Sequence, residues 1–316
     1  MNTIYTIGEA LIDFIPSEKG ISLKKVENFR RVVGGAPANC AVSAAKLGGR
    51  SAFIGKVGKD AFGELIADTL RKCGVDTGKL LFTDVANTAL AFVTLNEDGN
   101  REFSFYRKPS ADMLLNPEEI RADWFEPRDI LHFCSVDLIE APVKYAHKKA
   151  IDSVREKGGV VSFDVNLRLI LWDNHSLCRN TIREFADYAD IIKVSDEEME
   201  FAFGTNKPAQ CAEYLLHRGA KAVFITKGAD GSEIYTRDFS CECRPYPVKV
   251  VDTTGAGDAF AGAMLCRLQQ TESIDYFIKP DYLQETLRFA NKAGALTTTK
   301  KGAYDTIPTL QELAKD

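Results

Sequence analysis

The sequence predicts an α/β fold: a doubly wound, mostly parallel sheet with helices on both faces, to which a small β-sheet is added. Three observations support this prediction. Short β-rich runs alternate with helical patterns along the 316 residues, and such alternation indicates a parallel sheet. Two extended segments, within 11–23 and 89–107, interrupt the alternation. Neither a low-complexity linker nor an internal repeat divides the chain, so residues 1–316 are expected to form a single domain.

The individual elements follow from residue type and spacing. Strands are predicted at 4–8, 52–58, 89–95, 129–134, 160–165, 190–195 and 222–226, and a further strand ends at Val250-Val251. Helices are predicted at 62–73, 142–157, 209–218, 256–269 and 282–296, and a small-residue helix starts at Asn39. In the 62–73 helix, Phe62, Leu65 and Ile66 begin the apolar spacing, and Gly74 occupies the C-cap position. A hairpin turn is predicted at Glu97-Asp98-Gly99-Asn100.

Charge and hydropathy argue against two classes of protein. Forty Lys and Arg residues and forty-five Asp and Glu residues give a net charge of −5, without long runs of one sign. A protein that binds nucleic acid backbones is normally basic, so this class is disfavoured. No apolar stretch approaches the roughly 18 residues that a membrane-spanning helix needs. The N-terminal apolar segment has no basic region before it and is therefore predicted as a buried strand, not a signal peptide.

The eight cysteines indicate a reducing compartment. They are scattered in mostly apolar surroundings, they include no C-x-x-C pair, and the four histidines form no metal-ligand spacing with them. We therefore predict reduced core thiols and a cytoplasmic location. Cys241 and Cys243 form a C-x-C pair, for which a structural metal site is the alternative to two alternate residues of a strand.

The segment VVDTTGAGDAFAGAML carries the strongest chemical signal. Gly255 and Gly257 free backbone N–H groups to face an anion at the N-terminus of a helix, where the helix dipole also favours negative charge. Asp258 falls in the first turn of that helix. Its carboxylate is either a dipole-compatible residue or a general base beside an anion-binding turn.

Two other nucleotide-binding motifs do not fit the sequence. A dinucleotide fingerprint, G-x-G-x-x-G, would need a third glycine where, counted from Gly255, the chain has Phe260. The Walker A string G-x-x-x-x-G-K-[ST] occurs nowhere in the chain. A dehydrogenase and a P-loop kinase are therefore both disfavoured.

A second glycine pair precedes the small-residue helix that starts at Asn39. Gly34 and Gly35 would allow a ligand to approach the backbone closely. A tight turn that caps the following helix explains the same residues, and the segment alone does not decide between the two interpretations.

Taken together, these strings resemble a known family. The strings GGAPANCAVSAAKLG (34–48) and DTTGAGDAF (252–260) are similar, in this order, to the two signatures of the ribokinase, or pfkB, family of carbohydrate kinases. Within that family, GEALIDF (8–14), FYRKPSADMLL (105–115) and DVNLRLILW (164–172) are most similar to the fructokinases. The resemblance covers the chain essentially from end to end.

The resemblance implies a ribokinase-like α/β domain whose small sheet is a lid, donated by segments near 11–33 and 89–107. Members of the family phosphorylate a sugar hydroxyl with ATP and Mg²⁺. Asp258 matches the catalytic base of the family. Its anion hole is matched by Gly255, Ala256 and Gly257.

On the sugar side, the resemblance implies a second set of residues. Arg107 and Arg168 match positions near the sugar or the transferred phosphate, and a solvated surface arginine is the alternative for each. Phe105 either packs on the sugar ring or is a core residue of the lid. The positions that match sugar-contacting residues are Asp13, Gly34, Gly35 and Asn39.

For the nucleotide and the ions, the resemblance implies three further groups. Lys193 and Glu198 belong to a stretch that serves Mg²⁺ and phosphate, in which Ser195 stands where many relatives have Asn. The ATP loop and a position near adenine are matched by Thr226, Gly228, Gly231 and Asn291. The K⁺ site found in many relatives is matched by Asp252 and Thr254, with carbonyls around Thr297, Lys300 and Gly302.

The resulting hypothesis is an ATP-dependent sugar kinase that converts D-fructose to fructose 6-phosphate. One alternative is a kinase for another sugar, such as ribose or 2-keto-3-deoxygluconate, whose carboxylate would need a cation that Arg107 or Arg168 could supply. The other is a catalytically silent sugar- or nucleotide-binding protein, which should have lost the base or the anion-hole glycines. The expected partners are the sugar and ATP, without nucleic acid or membrane, and an exposed lid could form a homodimer by edge pairing.

Overall fold

The computed structural model describes residues 2–18, 20–95 and 101–315. Its strands are β1 (Ile4–Ile7), β2 (Leu11–Pro16), β3 (Phe29–Gly34), β4 (Ser51–Gly58), β5 (Asp76–Thr83), β6 (Leu90–Leu95), β7 (Arg101–Tyr106), β8 (Ile130–Cys134), β9 (Val160–Asp164), β10 (Ile191–Ser195), β11 (Ala222–Thr226), β12 (Ser232–Tyr235) and β13 (Ser240–Cys243). Its helices are α1 (Ala36–Lys46), α2 (Ala61–Lys72), α3 (Pro142–Glu156), α4 (His175–Ala186), α5 (Asp196–Phe203), α6 (Pro208–His217), α7 (Ala256–Gln269), α8 (Ile274–Phe277), α9 (Pro280–Thr297) and α10 (Leu310–Leu313). The hairpin turn predicted at 97–100 lies outside the described residues.

A central sheet organises the body of the molecule. Its strands follow the order β13-β12-β11-β10-β9-β8-β1-β4-β5 in the described part of the chain. From β11 to β5 all neighbouring strands are parallel, whereas β12 and β13 complete the other edge antiparallel. Because β1 lies between β8 and β4, the chain builds the sheet outward in both directions from its first strand. The predicted doubly wound, mostly parallel sheet is therefore confirmed.

Helices cover both faces of this sheet, as predicted. Phe133 and Phe163 stack at 4.8 Å and face a core built with residues of α3, α4, α5 and α6. Ile4 and Phe224 face the opposite core, which α1, α7 and α9 cover. Strands buried on both faces need continuous apolar runs, which is why these strands were recognisable from the sequence.

The small sheet has the order β3-β2-β6-β7, and its only parallel pair among the described residues is β2 with β6. An aromatic cluster joins this sheet to the body. Phe14 stacks on Phe92 at 4.9 Å and meets Phe62 of α2 edge-on at 5.9 Å. The small β-sheet that the sequence predicts is thus present, and it is called the lid sheet below.

Two sequence predictions are wrong in detail. The segment at Val250-Val251 is irregular: no strand in the described ranges pairs with it, and both side chains are about half exposed. Helix α1 begins at Ala36, three residues before the predicted start at Asn39. The reason is that the cap comes from a distant residue, since the Glu9 carboxylate accepts a hydrogen bond from the Ala36 N–H at 2.9 Å.

Several elements were not predicted from the sequence. They include β5 and β12 in the sheet and α4 among the helices. Helix α4 has a clear N-cap, because the Asn174 side chain accepts hydrogen bonds from Ser176 N–H and Leu177 N–H. Cys241 and Cys243 lie on β13, which agrees with the strand interpretation of that pair.

The structure bears directly on the predictions of free cysteines and of no membrane-spanning helix. All eight cysteines are free thiols, and five of them are buried. Within the described residues no three His, Cys, Asp or Glu side chains form a group that could hold a metal ion. Every helix in the described ranges is too short or too polar to cross a bilayer.

Close packing of α1 on α7 positions the residues discussed next. A Cβ on Gly262 of α7 would lie only 2.4 Å from the Ser43 Cβ and 2.7 Å from the Cys40 carbonyl oxygen on α1. The Ser43 hydroxyl donates a hydrogen bond to the Ala259 carbonyl at 3.0 Å, which fixes the register of the two helices. Only glycine permits this approach, so the distance between α1 and α7 depends on Gly262.

We expect Gly262→Ala to destabilise the protein by about 2 kcal/mol, because the added methyl group overpacks the contact between α1 and α7. Urea unfolding measures this change. Glu213→Ala, on the exposed face of α6, is the control and should alter the free energy of unfolding by less than about 0.5 kcal/mol. Equal effects of the two substitutions would contradict the packing argument.

Candidate active site

Several of the predicted site residues lie at the carboxyl edge of the central sheet and at the N-terminus of α7. Asp164, Ser195 and Thr226 are the last residues of three neighbouring parallel strands. This is the edge at which open α/β sheets bind their ligands. Gly255 adopts a left-handed conformation, with φ of 76°, and starts α7 at this edge. Residues that the sequence analysis assigns to ligand binding therefore lie at this edge, and the binding of a ligand there stays a prediction.

Asp258 lies buried in the first turn of α7 and is held by two amides. The Asn39 side chain donates to its Oδ2 at 2.9 Å, and the Asn166 side chain donates to its Oδ1 at 3.3 Å. Asn39 comes from α1 and Asn166 from the segment after β9, so three elements meet at one carboxylate. Asn166 has a positive φ of 37°, uncommon for a residue other than glycine. Both amides orient the carboxylate of Asp258.

The environment of Asp258 suits a general base. Burial raises the pKa of the Asp258 carboxyl to about 6, while the hydrogen bond from Asn39 and the charges of Arg168 and Lys193 oppose that rise. A base works best when its pKa lies near the pH at which it operates. At neutral pH the carboxyl is therefore ionised, and it is more basic than an ordinary aspartate.

Lys193 places a buried positive charge beside the turn at the start of α7. Its ammonium group pairs with both oxygens of Asp164, at 2.9 and 3.0 Å. Burial lowers the pKa of Lys193, but Asp164 and other nearby carboxylates more than offset this and raise it above its ordinary value. A Cβ on Gly257 would lie 3.4 Å from the Lys193 Nζ. The ammonium, paired with Asp164, therefore lies directly beside the N-terminus of α7.

The three residues matched to an anion hole lie together at that N-terminus. Gly255 is the N-cap of α7, and Ala256 and Gly257 begin the helix. The Ala256 N–H donates to the Thr253 carbonyl at 3.2 Å. This contact stabilises the turn that presents the first amides of α7.

The two arginines occupy different environments. Arg107 is buried and forms ion pairs with Asp112 and Asp137, so it is not a surface arginine. Arg168 is exposed, and its guanidinium donates to the Leu167 carbonyl at 2.8 Å. The charge of Arg168 also acts on Asp258, whose pKa it lowers. Contact of either arginine with a sugar or phosphate stays a prediction.

The residues matched to a sugar site lie around the junction where β3 of the lid sheet leads into α1. A Cβ on Gly34 would lie 2.2 Å from Asp13 Oδ2, and a Cβ on Gly35 would lie 2.4 Å from the Glu9 carbonyl oxygen. Both glycines are therefore required by the close approach of neighbouring groups. Phe105 packs against a small apolar cluster of the lid sheet, formed by Leu11, Ala89 and Ala91.

Glu198 closes the start of α5 through both of its oxygens. Its Oε2 accepts from the Ser195 N–H at 2.8 Å, and its Oε1 accepts from the Leu167 N–H at 2.7 Å. Ser195 and Glu198 form a reciprocal capping box. The serine at this position thus has a local role as the N-cap of α5.

The predicted nucleotide loop and the predicted adenine position are adjacent. Gly228 and Gly231 both have positive φ, at 52° and 91°, in the turn that follows Thr226. The Asn291 side chain of α9 accepts from the Ser232 hydroxyl at 2.8 Å, directly after that turn. These contacts connect α9 with the loop between β11 and β12.

The residues matched to a K⁺ site lie around the segment before α7. Asp252 Oδ1 accepts from the Thr254 N–H and hydroxyl at 3.0 and 2.8 Å, and Asp252 Oδ2 accepts from the Gly302 N–H at 3.4 Å. A Cβ on Gly255 would lie 3.9 Å from Thr297 Cγ2. The Lys300 side chain, in contrast, points to Glu312, with 3.8 Å between charged atoms.

Comparison with known proteins identifies the family. Residues 1–310 match the pfkB family of carbohydrate kinases. The chain belongs to this family. A probable fructokinase-2 of Arabidopsis thaliana is 46% identical over 308 residues, which cover 97% of this chain and 93% of the plant protein.

Solved structures of pfkB kinases share the fold along the whole chain. A fructokinase from Xylella fastidiosa with bound ATP matches with a TM-score of 0.88 and 36% identity, over 98% of this chain and 96% of that one. A double-mutant fructokinase from Vibrio cholerae, bound to fructose, ADP and a potassium ion, matches with a TM-score of 0.89 and 34% identity. The match covers 99% of this chain and 97% of that one. The ribokinase-like fold with its small sheet is therefore confirmed.

Sequence reasoning missed two side chains of the candidate site. Asp164 and Asn166 stand in the string DVNLRLILW, but only Arg168 of that string was selected as a site residue. The signal that could have found them is their position directly after the β9 run, at the edge where ligands of parallel sheets bind. Their partners, Lys193 and Asp258, are distant in sequence and could not have been paired with them.

The pKa of Asp258 predicts the pH dependence of the kinase reaction. A base must be ionised, so kcat/KM should fall as the pH decreases through about 6. Arg168→Gln removes a charge that lowers this pKa, so the fall of kcat/KM at low pH should move to higher pH. Arg168→Lys keeps the charge and should leave the pH of this fall unchanged. The same pH profile in the wild type and both variants would contradict the assignment of this fall to Asp258.

A double-mutant comparison separates the structural and catalytic effects of Lys193. Lys193→Met leaves the Asp164 carboxylate buried without its ion pair, so we expect a loss of about 3 kcal/mol of stability and much slower turnover. Adding Asp164→Asn should restore most of the stability but not the turnover, because the positive charge beside Gly257 is still missing. Urea unfolding and steady-state kinetics test this. Recovery of turnover in the double variant would contradict a catalytic role for the charge.

Proposed function

We propose that this protein transfers the γ-phosphoryl group of ATP to D-fructose and forms fructose 6-phosphate. The observation that carries the proposal is the Asp258 carboxylate, held by Asn39 and Asn166 beside the N-terminus of α7 and the Lys193 ammonium. This arrangement combines a base for a hydroxyl proton with donors for a phosphoryl group. The fructokinases among its relatives support fructose as the acceptor.

The chemistry is an in-line displacement. Asp258 accepts the proton of the primary hydroxyl as the sugar oxygen forms a bond to the γ-phosphorus, and the bond to the bridging oxygen of ADP breaks. Charge on the transferred group is stabilised by the first amides of α7 and by Lys193, with Arg168 available from the exposed side. Asp13, Gly34, Gly35 and Asn39 would orient the sugar, and the lid sheet would exclude water.

We extend the proposal to the nucleotide and the ions. ATP would lie along the loop at Thr226 and Gly228, with Asn291 near the base. Mg²⁺, when bound with ATP, neutralises charge on the β- and γ-phosphates. Glu198 would be a suitable ligand for that ion or for its bound water. Each of its oxygens accepts one backbone N–H among the described contacts and keeps a second lone pair. For K⁺, the hard oxygens of the Asp252 segment are suitable ligands.

Location and assembly are also part of this proposal. Free thiols at all eight cysteines agree with a cytoplasmic location. A homodimer that forms through the lid sheet stays a prediction, and so does the absence of nucleic acid from its partners.

Asp258→Asn tests the mechanism. The amide cannot accept the proton, so turnover should fall by about three orders of magnitude or more while fructose binding, measured by calorimetry, remains. Asp129→Asn alters another buried carboxylate, just before β8 at the opposite edge of the sheet, and should keep near-normal turnover. A near-normal rate in the Asp258 variant would overturn the proposal.

ADP release with fructose, ribose and 2-keto-3-deoxygluconate separates the alternative substrates. No release with any of these sugars would indicate a silent binding protein.

A further inference from the structure

A second group of charges lies at the carboxyl edge of β1 and β8, apart from Asp258. It consists of Glu9, Arg107, Asp112 and Asp137, whose exposed fractions are 3%, 4%, 2% and 1%. Arg107 directly follows β7 of the lid sheet, and Nη2 of its guanidinium donates to carboxylates of both Asp112 and Asp137. Two carboxylates thus share one guanidinium, with the Glu9 carboxyl close enough to act on its charge, and these four residues are called the buried charge cluster below.

The charge of Arg107 is fully compensated inside the cluster. Burial lowers the pKa of Arg107, but Asp112 and Asp137 more than offset this and keep the guanidinium charged. Burial raises the pKa of Asp137 to about 6, and burial together with the charge of Asp137 raises that of Glu9. At neutral pH the carboxyl of Asp137 is therefore ionised, and the single positive charge of Arg107 is paired with two aspartates, Asp112 and Asp137.

The donors of Arg107 are nevertheless not all used. Among the described residues, its Nε and Nη1 atoms are buried without a hydrogen-bond partner, and so is Oδ2 of Asp137. Arg107 therefore has the N–H groups with which an arginine binds a carboxylate. The positive charge of these groups is paired with the negative charges of Asp112 and Asp137.

The cluster adjoins the segment that we propose for sugar binding. A Cβ on Gly8 would lie 3.7 Å from Asp137 Oδ2, and a Glu9 oxygen accepts from the Ala36 N–H, the residue after Gly35. Charges at such short range in a buried environment interact strongly, because little water screens them. The cluster thus lies directly beside the backbone of the segment that we propose for sugar binding.

We propose that Asp112 and Asp137 make this kinase selective for uncharged sugars, by cancelling the charge of Arg107 that would otherwise attract a sugar acid. A sugar hydroxyl tolerates neighbouring carboxylates because it can donate to them, whereas the carboxylate of a sugar acid is only an acceptor and is repelled. The inference rests on the proposed function, since it concerns the acceptor of that reaction. The opposite, phosphate side keeps its own cation in Arg168, which acts on Asp258.

The test compares fructose with 2-keto-3-deoxygluconate as acceptors for the full-length protein. Asp112→Asn and Asp137→Asn each remove one negative charge while keeping the size of the side chain. We expect each variant to raise the ratio of kcat/KM for the sugar acid to that for fructose by about tenfold. Asp129→Asn, a buried substitution of the same kind at the other edge of the sheet, should leave the ratio unchanged.

The ratio separates selectivity from stability. A merely structural role of the aspartates would lower kcat/KM for both sugars alike and leave the ratio unchanged, which would overturn the inference. Thermal unfolding shows which variants are folded, and either aspartate variant suffices, since both substitutions neutralise the same cluster. A wild-type protein that phosphorylates the sugar acid as well as fructose would also overturn it. If the wild type releases ADP with neither sugar, it is the proposed function that fails.

Discussion

The hydrogen bond between Asn39 and Asp258 is the contact on which the candidate site depends. It joins α1 to α7, and it exists only because Gly262 and Ser43 let these helices approach closely. A buried carboxylate without donors would be protonated at neutral pH and useless as a base. The amide of Asn39 offsets part of the burial penalty and aims the carboxylate at the same time.

This dependence extends to the lid sheet. Strand β3 ends at Gly34, and α1 begins two residues later at Ala36, capped by Glu9 from the end of β1. Asn39 lies in the first turn of that helix, so the position of the lid and the orientation of the base share one short segment of backbone. The glycines at 34 and 35 are explained by the crowding of this junction.

The sequence was sufficient for the parts of the fold whose signals are local. Buried parallel strands appear as apolar runs, and the helix of Asp258 follows an unmistakable glycine turn. Partners brought together by folding could not be inferred. Asn166 and Asp258 are 92 residues apart, and the Glu9 cap lies 27 residues before Ala36. The strand predicted at Val250-Val251 failed for the same reason, because β-branched residues form a strand only where a neighbour pairs with them.

The two arginines illustrate why residue type alone could not assign roles at the site. Both match positions near the sugar or phosphate, yet folding buries Arg107 between carboxylates and leaves Arg168 exposed. Burial decides what a charge does, because a buried guanidinium acts mainly on the groups paired with it.

The distribution of charge also explains how a chain with a net charge of −5 can hold a polyanionic nucleotide. Carboxylates of Glu9, Asp13 and Asp137 gather on the lid side, where a sugar offers hydroxyl groups that can donate to them. On the other side, Lys193 and the α7 N-terminus supply donors, which a phosphoryl group requires. In the proposed reaction, Asp258 takes the proton from the sugar hydroxyl whose oxygen forms the bond to phosphorus. Local separation of acceptors from donors, and not the overall charge, therefore determines which ligands such a site can take.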